Sequence, residues 1–432
     1  MGLCHGILSH QSQGLQLTHH LSQHCFDNGS RCVVAPMPDA GLTCLDFWCR
    51  AGSSFEQPGE EGLAHFLEHM VFKGSKQLRA GDFDLKVEAL GGSSNAATGF
   101  DDVHFHVLVP PEGALEALEL LLDLVLEPAL RPDAYAMERD VVLEEIAQYR
   151  DQPDEQVVQH LLGASCCNHP YGRPILGWED SLLASTPETM RAFHRRRYTG
   201  DNCCLVVAGA VPDGLTETIA SSRLVQLPRL KGSDSVDSPS SLSFQRGRTS
   251  LEVERLEAAR LLMAWPTASA DDQHQVMGMD LATTLLAEGR RSRLVARLRE
   301  ELQIVESIDM DLTTLERGSL VMLEACCPPE RITQVEEEVF KVLTACASAP
   351  VQETEMSRGR QLVGNGLRFS LEAPGSMAAM TGPQALWRSA QDPLEPLNDL
   401  GRWTADDLQH LVFNQLQPDQ AFTLVALPDE EA

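Results

Sequence analysis

The stretch Gly62–Ser75, GLAHFLEHMVFKGS, constrains this chain more than any other. Leu63, Ala64, Phe66, Leu67, Met70, Val71 and Phe72 make it apolar nearly all round, so a helix here belongs inside a core. Yet it carries His65, Glu68 and His69. At roughly 100° per residue, Glu68 and His69 fall within about 60° of His65, so three titratable groups share one helix face. Buried without partners they cost on the order of several kcal/mol. A divalent metal removes that cost, and His at i and i+4 is the spacing that lets two imidazoles reach one ion.

Two histidines leave a tetrahedral ion short of a protein ligand. The segment Tyr135–Tyr149, YAMERDVVLEEIAQY, reads as a helix that sets Glu138 and Glu145 on one face, about two turns apart. Val141, Val142 and Ile146 are expected to pack beside that face. Glu145 as third ligand and water as fourth make an open site, as in catalytic rather than structural zinc centres. Glu68 is not needed as a ligand and becomes the candidate general base. H-x-x-E-H also arises by chance, and two His beside a Glu can be satisfied core polars. The apolar surroundings and the second carboxylate-bearing helix favour the metal.

The rest of the chain frames this site. Its 432 residues suffice for two to four domains at roughly 100–200 residues each. With 43% hydrophobic and 22% charged residues the chain is an ordinary globular one, not a disordered or fibrous one. A net charge of −29 excludes a nucleic-acid backbone or an anionic membrane surface as partner and permits a cationic or neutral substrate. No run reaches the ~18–20 apolar residues of a membrane span, and the opening residues lack a signal-like pattern, so a cytoplasmic location is expected. The 12 cysteines include three adjacent pairs and no zinc-ribbon spacing, and are expected reduced and mostly buried.

Lys231–Ser243, KGSDSVDSPSSLS, has linker composition and falls near the midpoint. It divides the chain into a metal-bearing domain over residues 1–228, a Ser-rich linker over 229–248 and a related domain over 249–432 without the metal motif. Apolar runs predict strands at Cys32–Pro36, Leu42–Cys49, His104–Val109, Cys203–Ala208, Arg260–Trp265, Leu320–Cys326 and Ala421–Leu427. Helical spacing predicts helices over Glu61–Phe72, Leu115–Leu126, Tyr135–Tyr149, Asp280–Glu301 and Ile332–Ser348. Strands and helices mix without regular alternation, so the fold class is α+β, each domain a mostly antiparallel sheet packed with helices.

The inverted H-x-x-E-H order, followed at long range by Glu138-Arg139-Asp140-Val141-Val142-Leu143-Glu144-Glu145, resembles the pitrilysin/insulinase (inverzincin) zinc peptidases, most of all their mitochondrial-processing-peptidase branch. The resemblance implies two clamshell-like domains, one zinc per chain held by His65, His69 and Glu145, Glu68 as base, and Glu138 as a carboxylate behind a ligand. Glu144 is expected in solvent. Gly91–Thr98, GGSSNAAT, is similar to the family's substrate-pairing strand, which implies peptide contacts along Asn95, Ala96, Ala97 and Thr98 by strand addition. Gly289–Glu301 and Tyr171–Gly177 resemble further stretches of the same fold.

One departure stands against this pattern. Active members also use an arginine and, seven positions on, a tyrosine; here Arg299 is followed at that interval by Glu306. An ionised glutamate donates no hydrogen bond to an oxyanion. The resemblance therefore implies a zinc endopeptidase acting on peptides or unfolded polypeptides, with a related metal-less subunit as partner and a homodimer as the competing assembly. A non-catalytic or structural subunit is the alternative function; such members typically lose part of the motif, which is complete here.

Overall fold

The computed structural model describes residues 21–229, 240–387 and 390–429. Strands β1 (Ser22–Cys25), β2 (Arg31–Pro36), β3 (Thr43–Cys49), β4 (Ser93–Thr98), β5 (Val103–Val109) and β6 (Cys203–Gly209) form a six-stranded sheet in the order β1-β2-β6-β3-β5-β4. Strands β7 (Gly247–Val253), β8 (Ala259–Thr267), β9 (Ser307–Thr313), β10 (Ser319–Cys327) and β11 (Phe422–Pro428) form a five-stranded sheet in the order β7-β11-β8-β10-β9. Without β1 the two orders are the same. Each has one parallel pair, β2 with β6 and β7 with β11, and is otherwise antiparallel. The fold is α+β, with two related halves.

Helices α1 (Leu63–Val71), α2 (Asp82–Ala89), α3 (Ala114–Leu126), α4 (Pro132–Arg150) and α5 (Pro153–Ser165) belong to the first half. Leu63, Phe66, Leu67 and Met70 of α1 pack with Leu118 and Leu121 of α3 and Val142 and Ile146 of α4 onto Leu45, Phe47, Phe105 and Val107 of the sheet. In the second half, helices Gln273–Ala287 and Ile332–Ser348 do the same for β8 and β10.

The outer faces are covered reciprocally. Val157 and Leu161 of α5 join Val253, Leu262 and Leu424 of the second sheet. The helix Pro374–Trp387 returns from the second half and lays Met377, Ala378 and Ala385 on Val33, Trp48 and Val206 of the first. Trp48 lies against Gly382, where any Cβ would overlap the indole. Strands covered on both faces read as continuous apolar runs. That is why CVVAP, LTCLDFWC and CCLVVA stand out in the sequence.

A polar knot ties the halves together. Asp101 accepts from Tyr171 Oη at 2.7 Å and from the Glu316 amide at 2.7 Å, and the Arg50 guanidinium pairs with the Glu316 carboxylate.

Several expectations are corrected. Asp280–Glu301 is two helices, because Gly289 adopts a left-handed φ of 77° and ends the first; the second is a wide turn over Val295–Glu301. Val141 is half exposed, while α4 buries Val142 and Ile146, as expected, together with Tyr135 and Glu138. Gly247 and Arg248 belong to β7 rather than to a linker; residues 230–239 of the Ser-rich stretch lie outside the described residues. Glu144 is exposed. All 11 cysteines of the described residues are free thiols, most of them buried. Among the described residues, no helix is long and apolar enough to cross a membrane.

Candidate active site

The site is built where α1 meets α4. α1 begins at Gly62, whose φ of 92° only glycine adopts without strain, and a Cβ there would strike the Leu176 carbonyl. Gly177 presses on Gly62 from the same side, so the Tyr171–Gly177 stretch fixes the helix start. The first turn has orphan amides, and the buried Glu56 carboxylate accepts from Gly62 at 3.1 Å and Ala64 at 2.8 Å. Burial pushes Glu56 up to about 8 against the pull of those amides. The sequence reading missed this clamp, because Glu56 lies outside any helix and only the folded loop aims it.

From α1, His65 and His69 project toward α4, their rings edge-on at 4.7 Å. Glu145 Oε2 lies 3.7 Å from His65 Nε2 and 3.4 Å from His69 Nε2. One ligand atom from each of the three lies within 4.8 Å of the others. Ligand atoms about 2.1 Å from a tetrahedral ion stand about 3.4 Å apart, so the set fits zinc. It also makes poor sense without a cation: one carboxylate oxygen faces the Nε2 atoms of two imidazoles at distances longer than a hydrogen bond to either would give. Burial, then the neighbouring His69, push His65 down to about 4, which leaves its ring neutral and able to bind a metal at pH 7.

Glu138 is buried behind this group. Its Oε1 accepts from His69 Nδ1 at 3.0 Å, which directs the Nε2 lone pair toward Glu145. Its Oε2 pairs with Lys73 Nζ at 2.7 Å, a partner the sequence reading did not name. Lys73 follows His69 at i+4 on the helix's own path, so its spacing was the available signal.

Glu68 has its own support. Thr98 Oγ1 donates to Glu68 Oε2 at 2.5 Å. Burial raises the Glu68 carboxyl above its ordinary range, opposed by that hydrogen bond and by His69 and His104. Thr98 ends β4, which pairs with β5 on one side and forms the sheet's edge on the other. Asn95 and Ala97 are exposed along it, while Ala96 and Thr98 are half-buried toward α1. The strand thus joins the edge to the carboxylate.

Arg299 and Glu306 find their polar partners within the second half. Arg299 pairs with Glu300, and Glu306 neighbours the Cys326 thiol.

Two like sheets carrying an open imidazole–imidazole–carboxylate site beside an edge strand define a class, the two-domain metallopeptidase fold. The family model described as insulinase (peptidase family M16) matches residues 41–179, and that described as peptidase M16 inactive domain matches 185–363. The chain belongs to the peptidase M16, or insulinase, family. It is 28% identical over 90% of its length to a Mycobacterium leprae protein, and covers 88% of it. It is 24% identical over 94% of its length to a Bacillus subtilis protein, and covers 98% of it. Both are named uncharacterized zinc proteases. Its fold superposes with a TM-score of 0.87 on a protease from Helicobacter pylori, at 21% identity, with 95% of this chain and 100% of that one covered.

Proposed function

We propose that the chain is a zinc endopeptidase that hydrolyses extended peptides or unfolded polypeptides. The observation that carries this reading is the convergence of His65, His69 and Glu145 next to a carboxylate, Glu68, that is not needed as a ligand. When bound, zinc supplies Lewis acidity toward the scissile carbonyl and makes water acidic enough to deprotonate near neutral pH. Glu68 accepts the water proton and then delivers it to the leaving amine. Thr98 holds the carboxylate in place, and burial makes it a stronger base. Glu138, anchored by Lys73, fixes the His69 tautomer. Substrate adds as a strand along Asn95, Ala96, Ala97 and Thr98, its main chain held by hydrogen bonds that ask little of its sequence. The −29 charge favours basic peptides over acidic ones.

The polar neighbours of Arg299 and Glu306 are residues of the second half, and no tyrosine stands at 306 to hold an oxyanion. This supports assembly with a related metal-less subunit that supplies those donors, with a homodimer as the competing assembly. The test assays the chain, alone and with co-purifying proteins, on unfolded peptides with and without chelator. Chelator-sensitive cleavage that rises with a related partner supports the reading. Full-rate cleavage by the lone chain rejects the partner, and cleavage insensitive to chelator rejects the zinc.

A further inference from the structure

The face of the first sheet opposite α1 carries a second group of side chains able to ligate a metal, with His104 near enough to act on the Glu68 carboxyl. β3 and β5 pair so that Asp46 stands opposite His106 and Trp48 opposite His104. β4 extends both rows, with Asn95 opposite His106 and Ala97 opposite His104. Side chains alternate between faces along a strand. Phe47, Phe105 and Val107 therefore point to the helices of the inner core, and Asp46, His104 and His106 point the other way.

Three features of the cluster belong together. Asp46 is 1% exposed, an acid set among Val33, Cys44 and Val206 on a face that is otherwise an apolar core. Its Oδ1 lies 3.0 Å from His104 Nδ1. One ligand atom from each of Asp46, His104 and His106 lies within 4.8 Å of the other two. The two imidazoles stack nearly parallel, with centroids 5.7 Å apart and planes at 20°. His at i and i+2 of a strand turns two rings to one side, and a carboxylate on the neighbouring strand completes a three-ligand set. An Asp–His core pair alone accounts for Asp46 and His104. It gives no role to His106, whose ring has no hydrogen-bond partner among the described residues.

We propose that Asp46, His104 and His106 form a second metal site, separate from the one at α1, that takes a late first-row divalent ion of the zinc–copper class. Two imidazoles and one carboxylate suit such ions, whereas magnesium and calcium demand mostly oxygen. His104 and His106 are half-buried rather than sealed, so an ion can enter from the edge-strand side. A bound ion ties β3 to β5, one strand in from the edge that Asn95 and Ala97 occupy. It also sits beside Trp48, whose ring stacks on His104 at 4.2 Å between centroids.

Copper(II) is the probe, since it binds such sites tightly, quenches indole emission and shows imidazole nitrogens in its paramagnetic resonance spectrum. The full-length chain is stripped of metal and titrated as wild type, His65→Ala/His69→Ala and His106→Ala, with Trp48→Phe to assign the emission. The expected result is two equivalents for wild type and one for each of the other two metal-site variants. The ion remaining in His65→Ala/His69→Ala should quench Trp48 and show two imidazole nitrogens. His106→Ala should hold one equivalent at stoichiometric concentration, because the remaining Asp46 and His104 bind a second ion at least ~10-fold more weakly than the three-ligand set. His106 is half-exposed, so the variant should fold, and circular dichroism checks this; Asp46→Asn gives a second variant of nearly unchanged shape. A His65→Ala/His69→Ala protein that binds no copper, or a His106→Ala protein that matches wild type in stoichiometry and Trp48 quenching, overturns the proposal. If the α1 site is the one misread, wild type and His65→Ala/His69→Ala both bind one equivalent and His106→Ala binds none.

Discussion

The two halves share one strand order and differ in what their first long helix and edge strand carry. In the first half α1 bears His65, Glu68 and His69, and each finds a charged or hydroxyl partner across the fold. The corresponding helix of the second half, Gln273–Ala287, presents Asp280, Thr283 and Thr284, whose hydroxyls bond locally to the Asp280 carbonyl and to Glu288. The edges differ as well. β4, SSNAAT, carries no charge, while β9, SIDMDLT, exposes Asp309 and Asp311. Charges on an edge strand discourage an incoming strand, and small neutral side chains admit one. A duplicated scaffold thus supports two roles, because chemistry resides in the side chains placed on it.

The largest effect expected from breaking this difference is on the metal. His69→Ala leaves two ligands, so zinc by elemental analysis should fall from about one per chain at the α1 site to near none, and peptide cleavage should go with it. Glu68→Gln keeps shape and metal but cannot accept a proton; turnover should fall at least ~10²-fold at unchanged zinc content. Equal turnover would move the base to another carboxylate. Ala97→Asp copies the guarded edge of β9 onto β4. Its kcat/KM for unfolded peptides should drop about 10-fold with zinc retained, by the cost of desolvating an aspartate against an added strand. An unchanged value removes β4 from substrate binding.

The smallest effect belongs to the second half. Burial, with Glu288 nearby, pushes the Asp280 carboxyl up to about 6 from an ordinary 3.8. The folded state therefore holds a proton that the unfolded state releases at lower pH. Its contribution to stability is full below about pH 4 and is lost as pH rises through about 6. Asp280→Asn should stabilise the protein by about 1–2 kcal/mol at pH 7 and by little at pH 4. Denaturant titrations of both proteins at the two pH values measure this. A stabilisation that is equal at both would show that the carboxyl is not the titrating group.

What the sequence made legible follows from the range of each interaction. His65, Glu68 and His69 lie within two turns of one helix, so their common face is fixed by helix geometry alone. Glu138 and Glu145 could be placed on one face of α4, but their approach to α1 rests on tertiary packing, and family likeness supplied it. The Thr98–Glu68 and Glu56–Ala64 contacts join a loop or strand end to a helix, and no local pattern announces them. Asp46, His104 and His106 come together only once β3 and β5 are in register. β9 was missed because it alternates polar and apolar residues on a half-covered edge, unlike the continuous runs of β3 and β6. The break at Gly289 was legible in principle, since glycine ends helices at left-handed φ, but the apolar spacing on both sides concealed it.

Zinc-edge anomalous diffraction from crystals grown with zinc locates the ion itself. A strong peak is expected between α1 and α4, about 2.1 Å from His65 Nε2, His69 Nε2 and a Glu145 carboxylate oxygen, with Glu68 beside it but not ligating. An empty α1–α4 junction in zinc-saturated crystals, or a peak there ligated by Glu68 in place of Glu145, would contradict it.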